Sequence, residues 1–109
     1  MARPITLCTA QWADLSLEAV CEVASKMGYE GLEMATWGTF DVHKAVEDPA
    51  YVPYVKETLK KYNLQSWALA AHVPGQCVCD LWDPRLDGFA PPECAGNPEA
   101  IRAWGKQEM

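Results

Sequence analysis

The sequence predicts an α/β fold built of parallel β/α units, and three observations lead there. Apolar runs of strand length recur at 5–12, 31–37 and 66–72. Each is short and bounded by polar or turn residues, as a strand covered on both faces should be. Helical spacing fills the stretches between them. Strands and helices that alternate along a chain build a parallel sheet through right-handed crossovers.

The first run, 5–12, supplies the first strand. The helix after it has Ser16 to cap its free N–H groups and Glu18 in its first turn, where the helix dipole favours an acid. Leu17, Val20, Ala24 and Met27 recur at helical spacing and are expected to face the sheet. Glu22 and Lys26 stand four apart on the outer side. Gly28 follows the last apolar position and suits a left-handed residue just past the helix. The chain then passes through Tyr29 and Glu30 into the second strand, with Gly31 expected to allow tight entry against the preceding helix.

The second crossover is longer. Residues 41–46 read as a short helical turn, with His43 on its solvated side. The main helix places Val52, Val55, Leu59 and Tyr62 on one stripe. Pro53 is tolerated only in a first turn, so this helix starts near Val52. Lys60 and Lys61 suit its last turn, and Asn63 suits a left-handed stop. After the third strand, 73–96 carries four prolines and three glycines. It reads as a long loop, in which Asp80, Trp82, Asp83 and Asp87 form either a lid or an unordered stretch. Asn97-Pro98-Glu99 then starts a last helix, with Ala100, Ile101 and Trp104 inward.

Composition narrows the function classes. Half of the 109 residues are apolar, enough for a core in one domain. A net charge of −6 argues against nucleic acid and against an anionic membrane surface. No apolar run is long enough to span a bilayer, and the opening Met-Ala-Arg-Pro-Ile has no signal-peptide core, so the expected place is cytoplasmic. The five cysteines, an odd number at irregular spacing, make a poor disulfide framework. Cys8 and Cys21 sit among apolar residues. Cys77, Cys79 and Cys94 with His72 depart from the usual zinc spacing, so free thiols are expected.

Met27-Gly28-Tyr29-Glu30-Gly31-Leu32-Glu33 resembles the junction of first helix and second strand in the xylose isomerase-like TIM barrel family. Thr9-Ala10-Gln11-Trp12-Ala13-Asp14, Ala35-Thr36-Trp37-Gly38, Phe40-Asp41-Val42 and Ala71-His72-Val73-Pro74-Gly75-Gln76 extend the resemblance, toward the sugar phosphate isomerase/epimerase branch. It covers the chain except 81–95. It implies an incomplete barrel, with 1–109 as an N-terminal fragment and 73–96 as a long loop on the active-site side. A closed barrel has eight strands and about 250 residues.

The implied activity is that of a metal-dependent isomerase or epimerase acting on a small sugar or sugar phosphate. The family's divalent metal (Mn, Mg or Co) is held by later strands. The expectation here is therefore no tightly bound metal and no turnover by this chain alone. Two alternatives stand beside it. One is a fragment of an endonuclease IV-like zinc nuclease. The other is a non-catalytic fragment that associates with itself or another chain through open sheet edges.

Strand ends at the carboxyl rim of such a fold line the active site. Gln11, Trp12, Glu33, Trp37 and His72 are predicted there. Glu33 is a carboxylate inside an apolar run, which is costly unless paired or used; it is either the catalytic acid or a structural one. Trp12 and Trp37 are either sugar-stacking walls or core fillers. Gln11 hydrogen-bonds substrate or loop backbone. His72 is either a substrate contact or a histidine bonded to a carbonyl.

Overall fold

The structure, a computed structural model, describes residues 3–109. Met1 and Ala2, the start of the segment read for a signal peptide, lie outside the described residues. The chain divides after Ala70 into two compact units. In the first unit, β1 (Thr6–Cys8) and a 3₁₀ turn (Ala10–Trp12) lead to α1 (Leu17–Lys26) and β2 (Gly31–Ala35). Helices α2 (Val42–Glu47) and α3 (Tyr51–Lys61) then lead to β3 (Gln65–Ala70). The second unit holds α4 (His72–Cys79), 3₁₀ turns at Pro84–Gly88 and Pro92–Cys94, and α5 (Pro98–Glu108). No helix among the described residues is long and apolar enough to cross a membrane.

The fold is mixed α/β with a three-stranded sheet in the order β1-β2-β3, both pairs parallel. Leu7 of β1 stands opposite Leu32 of β2. These two and Met34 join Leu17, Val20, Cys21 and Ala24 of α1 and Val55 and Leu59 of α3 in one buried cluster. Both crossover helices therefore cover the same face of the sheet. Side chains alternate along a strand, so Cys8 and Glu33 take the opposite face, which receives neither helix.

Local chemistry explains the element ends. Ser16 Oγ accepts the Ala19 N–H at 3.2 Å, Lys26 pairs with Glu22 at 2.5 Å, and Gly28 has φ +85°. Asn63 ends the α3 segment with φ +56°. Asp41 caps α2 by accepting the Lys44 N–H at 3.0 Å. Pro53 falls in the first turn of α3, one residue later than the predicted start would place it. Asn97 Oδ1 accepts the Ala100 N–H at 3.1 Å, with Pro98 opening α5.

Several expectations are corrected. The first strand ends at Cys8, because Thr9 (φ −88°, ψ 4°) leaves the extended region and the chain coils through Ala10–Trp12. Met27 is 61% exposed, and Cys21 takes the inward place assigned to it. The third strand stops at Ala70, so His72 opens α4 rather than closing a strand. The stretch 73–96 is not one irregular loop. Pro74 is the third residue of α4, where a missing N–H breaks no helical bond, so its proline and glycine do not stop the helix. Pro74 and Cys77 are buried, and a Cβ on Gly105 of α5 would meet Pro74 O at 2.8 Å and Cys77 Cβ at 2.9 Å. That glycine lets α4 and α5 pack closely within the second unit. Beyond α4, Asp87 accepts Trp82 Nε1–H at 3.3 Å and the Gly96 N–H at 3.0 Å, so the remaining loop is tied by its own bonds.

Gly31 has a different role from the one expected. The pairing of β2 with β3 slips by one between Leu32 and Glu33, leaving Trp67 as the extra residue of a bulge. A Cβ on Gly31 would lie 2.5 Å from the Trp67 ring and 2.6 Å from Gln65 O. The close neighbour is β3, not α1. Gly31→Ala is expected to cost about 1–3 kcal/mol through this overlap, read as a lower urea midpoint with an unchanged slope.

Tyr54 Oη of α3 donates to Glu18 Oε1 of α1 at 2.5 Å and ties the two helices together. That bond holds the Glu18 carboxyl below its usual value and, with burial and the Glu18 charge, pushes the Tyr54 phenol up to about 12. The raised phenol contributes stability that is whole below its ordinary value of 10.0 and lost as pH climbs toward 12. The lowered carboxyl contributes stability present above its ordinary 4.5 and lost as pH falls. Tyr54→Phe is expected to cost about 0.5–1.5 kcal/mol near neutrality. The gap from the parent protein should narrow at both pH extremes in chemical denaturation.

Candidate functional site

The carboxyl ends of the three strands are laced by backbone and threonine bonds. Thr9 N–H donates to Glu33 O at 3.0 Å, and Thr36 N–H donates to Ala70 O at 3.0 Å. Thr36 Oγ1 donates to the same Ala70 carbonyl at 3.1 Å. The wholly buried Thr9 hydroxyl accepts the Ala35 N–H at 2.9 Å and is hydrogen-bonded to the buried Thr39 hydroxyl. This network fixes the loop from β2 to α2 over the end of β1. Gly38 completes the approach, since a Cβ there would lie 2.5 Å from Ala13 Cβ.

Glu33 is set into this frame at the centre of β2. Its neighbours Leu32 and Met34 are buried on the helix side, and Glu33 itself is half-buried. Its register partners are Cys8 of β1 and Ala68 of β3. The carboxylate is thus flanked across the sheet by a thiol and a methyl group. A group so placed can accept a proton from a ligand lying on the helix-free face.

The other predicted site residues of this unit lie beyond strand ends rather than in them. Gln11 and Trp12 belong to the 3₁₀ turn; Gln11 is exposed, while Trp12 packs against the core cluster as a filler would. Trp37 follows β2 in a turn and is 37% exposed. His43 is exposed on α2.

His72 belongs to the second unit. It is exposed at the start of α4 and lines a hollow of about 470 Å³ with Gln76, Cys79 and Asp80. These positions share one helix face, so an imidazole, an amide, a thiol and a carboxylate border one space. Cys77 lies on the buried side of the same helix, where burial pushes its thiol up. Cys77 and Cys79, two apart on a helix, point away from each other and do not form a joint ligand pair.

The metal implied by the resemblance can be tested against the first unit's donors. Glu33 offers oxygen and Cys8 offers sulfur. Mg²⁺ and Mn²⁺ take oxygen-rich sets, so this pair does not fit them.

The Thr9–Thr39 pair was not legible beforehand. A threonine in an apolar run carries no signal that its hydroxyl will serve a backbone N–H twenty-six residues away. Thr9→Val keeps the shape but orphans the Ala35 N–H and the Thr39 hydroxyl. The expected loss is about 1–3 kcal/mol, measured by urea denaturation. A scan against protein-family models found no matching family, and a comparison with curated proteins found no similar sequence.

Proposed function

We propose that the first unit is the opening section of a sugar or sugar phosphate isomerase/epimerase barrel, with Glu33 as its proton-handling carboxylate. The observation that carries the reading is the placement of Glu33. It stands at the centre of a parallel sheet, on the face opposite both crossover helices. Sequential parallel strands with their helices on one side are how a β/α barrel is wound, and the other side becomes its interior. In this reading Glu33 takes the proton from the carbon beside a sugar carbonyl and returns it to that carbon or its neighbour through an enediolate. Gln11 and Trp37, exposed past the ends of β1 and β2, serve as substrate contacts, and Trp12 holds the turn that presents Gln11. The enediolate's negative oxygen needs a stabilising cation or hydrogen-bond donor that Cys8 and Ala68, the cross-strand neighbours of Glu33, do not supply, so in this reading the three-stranded unit alone performs no turnover.

The resemblance of Met27-Gly28-Tyr29-Glu30-Gly31-Leu32-Glu33 to the family's helix–strand junction supports the same reading. The nuclease alternative gains nothing from a chain of net charge −6.

Titration of the chain with a panel of aldose and ketose phosphates, followed by NMR, tests the proposal. Millimolar binding is expected, with shifts at Glu33, Cys8 and the Trp37 indole. Glu33→Gln should weaken binding about tenfold while changing stability by less than about 1 kcal/mol. A panel that leaves the Glu33 face unperturbed, or a variant that loses stability but binds as before, would make Glu33 a structural acid and remove the proposal.

A further inference from the structure

On the helix side of the first unit, a recess of about 450 Å³ opens between α3 and β3. Its floor is Met34, Val55, Leu59 and Leu64, all buried members of the core cluster. Lys56 and Lys60, both exposed and one helical turn apart, border it. Asn63 and Gln65 border it as well. The volume lies in the range of small-molecule sites, which combine apolar walls with a few polar groups at the mouth.

The charges at the mouth decide what fits. Two of the chain's nine basic residues stand at this one recess, in a protein of net charge −6. A second copy docking here by a twofold axis would bring the same two amines toward their own duplicates, which opposes pairing. A bilayer surface is disfavoured by the overall negative charge. An apolar body with one anionic head satisfies both the floor and the mouth. We propose that this recess binds a free medium-chain carboxylate, with its alkyl body on Met34, Val55, Leu59 and Leu64 and its head between Lys56 and Lys60. The site is on the sheet face opposite Glu33 and is independent of the sugar reading.

Decanoate is the probe. Isothermal titration and NMR on the full chain should show saturable one-to-one binding, with shift changes centred on 52–66. Lys56→Gln with Lys60→Gln should weaken decanoate about three- to tenfold, as expected for two exposed ion pairs, and added salt should weaken the parent protein likewise. Both lysines are on the exposed side of α3, and circular dichroism confirms that the variant keeps its helices. Decyltrimethylammonium, with the same body and the opposite charge, should bind at least tenfold more weakly than decanoate. Any one of these outcomes overturns the proposal: no saturable binding, equal binding of the two head groups, shifts centred elsewhere, or sedimentation as a dimer whose recess decanoate fails to enter. Retention on vesicles of anionic lipid without binding of free decanoate overturns it as well.

Discussion

Leu32 is the constraint on which the first unit depends. It is fully buried, faces Leu7 across the sheet, and shares one apolar cluster with both crossover helices. Burying a leucine side chain of this kind contributes roughly 1.5–3 kcal/mol. Its larger effect is on orientation. A strand has a period of two, so committing Leu32 and Met34 to the helices commits Glu33 to the other face. No one-residue slip of β2 can satisfy the core without exposing two large apolar side chains and burying the acid under α1 and α3.

That commitment places a carboxylate where an apolar or small side chain would cost less. Its cross-strand neighbours, Cys8 and Ala68, are small. The rim around it is held by hydroxyls and backbone groups instead of ion pairs: Thr9 and Thr36 reach the ends of β2 and β3. The opposite face gathers lysines beside an apolar recess. The sheet therefore separates two chemically distinct surfaces by the thickness of one strand layer.

How much of this could be read from the residues depends on how local the signal was. Ser16, Gly28, Asn63 and Asn97-Pro98 act on the backbone within a few positions, and each marks its helix end where expected. The parallel pairing followed from alternation alone. Pro74 and Gly75 read locally as breakers, although a proline in a first turn breaks nothing; the helix they sit in is stabilised by its packing against Gly105, thirty residues on. The bulge at Trp67 and the Thr9–Thr39 bond are likewise tertiary, since they depend on which strands meet and in what register. Site residues suffered the same way. Their types are legible, but Gln11, Trp37 and His72 lie past strands that end at Cys8, Ala35 and Ala70.

The two margins of the sheet are unequal. β1 is three residues long and begins after Arg3, Pro4 and Ile5. β3 is six residues long, holds neither charge nor proline, and exposes Trp67 and Leu69 at 52% and 46%. Such a margin is a template for foreign strands. Concentrated or aged material should therefore fail first by intermolecular β-sheet growth from Gln65–Ala70, while α1 and its buried Cys21 are still folded.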